Sequence, residues 1–155
     1  MLMYSFLLFL HSFWRWLVLS SLVYSIYLAY TGKATGLLFT VAVNKWRHWT
    51  ATIAHVQLLL GMAIYMQSPV VMYPMPADPH RLMNEHYFFR YFHIGMMLLA
   101  VVLITVGSAK AKRLDSNREK YSTMLLWFSL ALLVILIAIP WPFSPLASRS
   151  FLRSF

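Results

Sequence analysis

Four long apolar runs dominate this 155-residue sequence and constrain what it can fold into. A helix needs roughly 20 apolar residues to cross the hydrocarbon core of a bilayer, and the runs at 5–30, 46–67, 87–107 and 123–143 reach that length. The composition agrees, because only 11% of the residues are charged, whereas soluble domains carry about 25%. We therefore predict an all-α integral membrane four-helix bundle that forms a single domain over residues 1–155.

Basic residues in the connections, together with Arg47 just inside the second run, predict the orientation. Eight lie at the connections between the first and second runs and between the third and fourth: Lys33, Lys45, Arg47, Lys110, Lys112, Arg113, Arg118 and Lys120. The opposite side has three, Arg81, Arg149 and Arg153. Under the positive-inside rule, both basic connections lie in the cytoplasm, and both termini lie on the outer, periplasmic side of a bacterial inner membrane. The net charge of +9 therefore indicates a lipid bilayer as the partner and not nucleic acid.

Ionisable residues inside the runs are the strongest functional signal. Such residues are costly in hydrocarbon and usually face a bundle interior or a functional group. Here they are His11 and Arg15 in the first run, His55 in the second, and Arg90 and His93 in the third. The spacings of four and three residues predict that each arginine shares a helix face with a histidine. Two of these residues fall in the first run, which also lacks a basic start, so we expect that run to remain as a helix and not to be a cleaved signal peptide.

No Asp or Glu lies within any run, so Arg15 and Arg90 lack a carboxylate partner at their depth. One non-covalent b-type haem would give both the histidines and the arginines a partner. Its iron takes two neutral imidazoles, and its propionates take arginines through charge-assisted hydrogen bonds. The chain has no cysteine, which excludes thioether-linked haem and iron–sulfur clusters. We predict five cofactor-binding residues, with two of the three histidines as iron ligands: His11, His55, His93, Arg15 and Arg90.

Two simpler interpretations stay open. The arginines can extend to lipid phosphates, and the histidines can make hydrogen bonds between helices. Three prolines in the outer connection, Pro74, Pro76 and Pro79, argue against regular helix there and predict a turn.

Several motifs resemble those of small bacterial four-helix membrane proteins described as cytochrome-b-like or uncharacterised. They are HSxxRW at 11–16, HxQLLLG at 55–61, VVLITVG at 101–107 behind the histidine of the third run, and IPWPF at 139–143. The resemblance implies a haem-binding integral membrane protein, with His11, His55 and His93 at the family's histidine positions. Family members have a Glu directly before the histidine of the third helix, where this chain has Phe92, so a role of that Glu in proton transfer is not expected here.

The first hypothesis is a membrane cytochrome b that carries single electrons and exchanges them with membrane quinone, rather than a self-contained enzyme. His93 would be one ligand, and either His11 or His55 the other, with Gly61 or Gly95 letting the macrocycle approach the backbone. The alternative is a non-catalytic accessory or scaffold subunit of a larger respiratory or other membrane complex. A proton or anion pathway is a third, less favoured hypothesis, because the inner halves of three runs are almost wholly apolar.

Overall fold

The computed structural model describes residues 2–73 and 82–152, and within them every regular element is helical. The elements, in order, are α1 (Leu2–Thr35), α2 (Val41–Tyr65), the short α3 (Pro69–Met72) and α4 (Glu85–Tyr87), a π-helical segment (Phe88–His93), α5 (Ile94–Arg113) and α6 (Asn117–Ala138). The predicted turn at Pro74, Pro76 and Pro79 lies outside the described residues, as do Arg81 and Arg153.

Three helical stretches in the described residues are long and apolar enough to cross a membrane: Leu2–Thr35, Glu85–Arg113 and Asn117–Ala138. They support the prediction of a multi-pass membrane protein. The helix α2 has 25 residues but is less apolar, because it contains several polar and basic residues, among them Lys45, Arg47, His48, His55 and Gln57.

The four long helices pack in a ring. The helix α1 contacts α2 and α6, and α5 contacts the same two helices. The centre of the ring is filled by fully buried side chains of α1, α5 and α6: Leu22, Ile104, Met124 and Phe128. Many large apolar side chains on the outer faces are exposed, among them Val23, Leu59, Val102 and Leu133. Contiguous exposed apolar surface of this kind is typical of a face that meets lipid.

Small residues let α6 approach its neighbours closely, as is common between membrane helices. The ring of Tyr121 lies directly against Gly32 of α1, and the Cβ of Trp127 lies against Gly107 of α5. The Tyr121 hydroxyl also donates to the carbonyl of Leu38 at 3.0 Å. These contacts fix α6 between α1 and α5.

The helices differ from the predicted runs at most of their ends, and two of these differences have a clear local cause. The second helix begins at Val41 and not at residue 46, because the side chain of Thr40 caps it by accepting from the N–H of Val43 at 3.3 Å. The fourth helix ends at Ala138 and not at residue 143. Pro140 disfavours helical conformation in the residue before it, and Ile139 is extended, with φ −69° and ψ 130°.

Beyond α6, the segment 139–152 folds back over the end of the bundle. The N–H of Arg149 donates to the carbonyl of Pro140 at 3.1 Å, and the N–H of Leu82 donates to the carbonyl of Pro145 at 3.1 Å. This C-terminal segment therefore lies beside the start of the third long helix.

We expect Gly107→Ala to lower the free energy of unfolding by about 1–3 kcal/mol, since the new methyl group would overlap the Cβ of Trp127 and force α5 and α6 apart. Gly95→Ala on the same helix is the matched control, because a Cβ there meets nothing within 4 Å. That control should be neutral, or more stable by about 0.5–1 kcal/mol. Unfolding midpoints in detergent measure both, and equal stability of the two variants would contradict the packing described.

Candidate functional site

A mostly apolar cavity of about 190 Å³ lies between α1, α2, the start of α5 and the C-terminal segment. Several polar side chains reach it, including those of His11, Arg15, Gln57, His93 and Arg149. The structure thus brings together two of the three predicted histidines, from α1 and the third long helix, and one of the two predicted arginines.

His93 is oriented by a backbone carbonyl at the end of α6. Its Nδ1 lies 2.8 Å from the carbonyl oxygen of Ala138. The carbonyls of a last helical turn lack helical partners, and Pro142, four residues on, has no N–H to offer. Because a carbonyl can only accept, Nδ1 carries the hydrogen, and Nε2 of the neutral ring keeps its lone pair. His93 therefore presents an unprotonated ring nitrogen that is available to a ligand.

His11 is held by the side chain of Gln57 from α2. The Gln57 Nε2 lies 3.1 Å from the carbonyl oxygen of His11 and 3.3 Å from its ring Nε2. The carbonyl only accepts, which assigns the amide nitrogen to this side and makes His11 Nε2 an acceptor. The neutral ring then carries its hydrogen on Nδ1. Gly61 makes room for this ring, since a Cβ there would lie 3.2 Å from His11 Cε1.

Three buried polar atoms of the site have no hydrogen-bond partner among the described residues: His11 Nδ1, Arg15 Nε and Gln57 Oε1. An unsatisfied buried polar group costs about 1–3 kcal/mol. All three side chains line the same cavity, so two donors and one acceptor await partners there. This pattern indicates a site that binds a polar group.

Arg15 brings a positive charge to the cavity. Its guanidinium donates to the carbonyl of Phe151 and lies 5.7 and 5.9 Å from the ring centroids of Trp16 and Trp141. It is close enough to His11 and His93 to interact with both electrostatically. Within 2–73 and 82–152 it forms no salt bridge, so its charge can still take an anion.

His55 and Arg90 are not among the residues that line this cavity. His55 is exposed, with its Nδ1 2.6 Å from the carbonyl of Ala51 and its Nε2 3.2 Å from Thr105 Oγ1. Arg90 donates to the carbonyl of Val71 at 2.8 Å and lies 5.6 Å from the Tyr91 ring. A π turn is wider than an α turn, so Arg90 and His93 do not share the face that α-helical spacing predicts.

An ion pair beside the cavity was not anticipated from the sequence. Arg149 donates from Nη1 and Nη2 to the two carboxylate oxygens of Glu85, at 2.7 and 2.6 Å. The Arg149 guanidinium also lies 5.0 Å from the Phe89 ring centroid. The pair ties the C-terminal segment to α4. Its members are 64 positions apart in the sequence, so spacing within a helix cannot predict it. Gln57 was also missed as a site residue, although an amide inside an apolar run is a signal of the same kind as a histidine.

No group of three or more His, Cys, Asp or Glu side chains that could hold a metal ion occurs in the described part of the chain. A b-type haem takes only two axial ligands from the protein, so this absence concerns other kinds of metal centre. Comparisons with protein-family models, curated proteins and solved structures found no match.

We expect Glu85→Gln to loosen the C-terminal segment, because the amide removes the negative charge and keeps only one oxygen that can accept from the Arg149 guanidinium. Amide hydrogen exchange in 144–152, measured by mass spectrometry, should become roughly tenfold faster. Glu119→Gln at the exposed start of α6 removes the same charge elsewhere and should leave these rates unchanged. Equal exchange in the wild type and Glu85→Gln would show that the ion pair does not hold the segment.

Proposed function

We propose that this chain is a membrane protein that holds one b-type haem in the cavity between α1, α2 and α5 and carries single electrons within the membrane, exchanging them with quinone. The observation that carries this proposal is the meeting of His11, His93 and Arg15 in one buried, mostly apolar cavity. The resemblance of the HSxxRW, HxQLLLG and IPWPF motifs to cytochrome-b-like proteins points the same way.

The residues at the cavity fit the donor set that a haem needs. His93 is a suitable first ligand, because its Nδ1–H is anchored on a carbonyl, as the outer nitrogen of a metal-bound histidine usually is. His11 is favoured over His55 as the second ligand, since only His11 lines the same cavity. Arg15 is suited to a propionate, because it has an unpartnered N–H and no carboxylate in the described residues. When bound, a haem supplies one-electron oxidation and reduction of its iron.

Two features of this chain must change before the cavity can admit a haem. The Gln57 amide has to leave His11 Nε2, which it contacts at 3.3 Å. The cavity of about 190 Å³ is also smaller than the 300–1,000 Å³ of typical cofactor sites, so its walls must move apart. The C-terminal segment is the wall best suited to move, because it is held by a few hydrogen bonds and the Arg149–Glu85 ion pair and not by a continuous helix.

The residues around the cavity have three tasks in this proposal. Apolar side chains such as Val18, Met97 and Ile135 exclude water. The Ala138 carbonyl keeps the His93 hydrogen on Nδ1, and Gln57 keeps the His11 hydrogen on Nδ1 until the amide moves. Arg15 then offsets negative charge that enters this low-dielectric site.

The proposed topology has four spans, including α2, with both termini on the periplasmic side of a bacterial inner membrane. Seven of the eight cations assigned to the cytoplasmic side lie at exposed or half-buried positions, and Arg47 is the buried exception. Exposed apolar residues on all four long helices, such as Val23, Leu59, Val102 and Leu133, support a lipid-facing exterior.

We expect His93→Ala to abolish the Soret band of protein purified in detergent from haem-replete cells, because it removes the ligand with the free Nε2. His55→Ala is the matched control and should keep the band, since His55 lies outside the cavity. Absorption spectra of the oxidised and reduced forms, with a pyridine haemochrome assay, measure the haem content. An unchanged spectrum in His93→Ala would reject the assignment.

A non-catalytic accessory subunit of a larger membrane complex is the second candidate. The observation that favours it is that both histidines already make hydrogen bonds between helices, His93 to Ala138 and His11 to Gln57. The colour of the purified wild-type protein distinguishes the two candidates. A colourless protein that gives no haemochrome signal and purifies with a stable partner would favour the accessory subunit.

The absence of native cysteine allows a direct test of topology. We expect Lys33→Cys and Arg118→Cys to react with a membrane-impermeant maleimide only after the cells are opened, whereas Leu82→Cys, at a position that is 78% exposed, should react in intact spheroplasts. Lys33 and Leu82 flank α2, so labelling of both from the same side would show that α2 does not cross the membrane.

A further inference from the structure

A second polar site lies in a groove between α2 and α5, on the face of the bundle that carries His55. The groove is lined by three cations and several neutral polar residues: Lys45, Arg47, Lys112, Asn44, His48 and Thr52, together with His55, Thr105 and Ser108. None of the three acidic residues that the structure describes, Glu85, Asp115 and Glu119, lines it. Its positive charge is therefore not balanced by acidic residues of its own lining.

Arg47 is a fixed charge at the base of this groove. It is 4% exposed, and its Nε and Nη2 donate to Asn44 Oδ1 at 3.1 and 2.9 Å. Its Nη1 donates to the carbonyl of Ser108 at 2.7 Å and also to the Ser108 hydroxyl. All of these partners are neutral, so the guanidinium joins α2 to α5 without losing its charge.

The rim of the groove carries exposed cationic side chains that a ligand can reach. Lys45 and Lys112 are exposed on α2 and α5, and His48 is exposed beside Lys45. Two helical turns after His48, His55 Nε2 lies 3.2 Å from Thr105 Oγ1. This part of the groove therefore carries an imidazole and a hydroxyl group where the first part carries cations.

The same face continues as an apolar surface. Leu59 lies four residues after His55, and Val102 lies three residues before Thr105, so each shares a helix face with a groove residue. Leu59 is 69% exposed and Val102 is 54% exposed. Cations, then hydroxyl and imidazole groups, then exposed aliphatic side chains follow one another along the two helices. This order matches the phosphate, the glycerol ester region and the acyl chains of a phospholipid.

We propose that this groove binds the headgroup of an anionic phospholipid, with its phosphate between Lys45, Arg47 and Lys112 and its acyl chains along Leu59 and Val102. Basic pockets between membrane helices on the cytoplasmic side bind such headgroups. The apolar continuation favours a lipid over free phosphate, because a soluble anion would leave that surface unused. The inference requires no haem and is independent of the redox proposal.

Native mass spectrometry of the full chain, released from micelles that contain equal amounts of phosphatidylglycerol and phosphatidylcholine, tests the site. The wild type should retain phosphatidylglycerol in preference to phosphatidylcholine. The double variant Lys45→Gln with Lys112→Gln should bind phosphatidylglycerol about 30-fold more weakly, since each cation near a membrane surface contributes roughly fivefold to binding. Arg47 stays unchanged because its loss would disturb the contact between α2 and α5.

The matched control is Lys33→Gln with Arg118→Gln, which removes two exposed charges from the same end of the molecule but outside the groove. It should retain phosphatidylglycerol like the wild type. The proposal is overturned if the control loses as much lipid as the groove variant, or if phosphatidylcholine is retained equally. It is also overturned if glycerol 3-phosphate or inorganic phosphate displaces phosphatidylglycerol at low millimolar concentration, which would identify a free phosphate as the ligand.

Discussion

In an apolar environment every buried polar group must find its partner inside the protein, and this constraint governs where the helices of this chain meet. Ser25 and Thr50 join α1 to α2 through their hydroxyls at 2.8 Å. Arg47 joins α2 to α5, and His93 joins the third long helix to α6. Each contact uses one of the few polar side chains that the spans contain, so the same residues that are costly in lipid also specify how the helices pack.

The sequence predicted the existence of the helices, because apolar length is a local signal. Of the five residues expected to converge, the structure brings His11, Arg15 and His93 together and leaves out His55 and Arg90. The sequence did not predict that His55 faces away from the cavity. The sequence left His11 and His55 open as the second ligand, because the rotation of α2 about its axis, which turns His55 away from the cavity, is not a local signal. Arg90 does not lie on the same helix face as His93, because the π-helical segment changes the angle between residues three apart. No pattern in the sequence FFRYFH distinguishes a π turn from an α turn.

The C-terminal segment shows how a short motif can act at a distance. Pro140 ends α6, and Pro142 has no N–H, so the Ala138 carbonyl is left for the imidazole of His93. The chain that follows returns to place the Phe151 carbonyl on Arg15 and the Arg149 guanidinium on Glu85. A pair of prolines after an apolar run therefore orients one residue of the cavity and supplies part of its wall. Hydropathy alone missed this, because it extends the helix through residue 143.

The distribution of polar groups also bears on what could pass through the bundle. The cavity and the basic groove lie in different parts of the molecule, and the core between the helices is filled by Leu22, Ile104, Met124 and Phe128, all fully buried. Ions and protons need water or polar side chains along their route, and these four buried side chains are all apolar. An electron can move between a buried cofactor and a lipid-soluble partner without a hydrated path. The buried apolar side chains at the centre therefore give no support to the hypothesis of a proton or anion pathway.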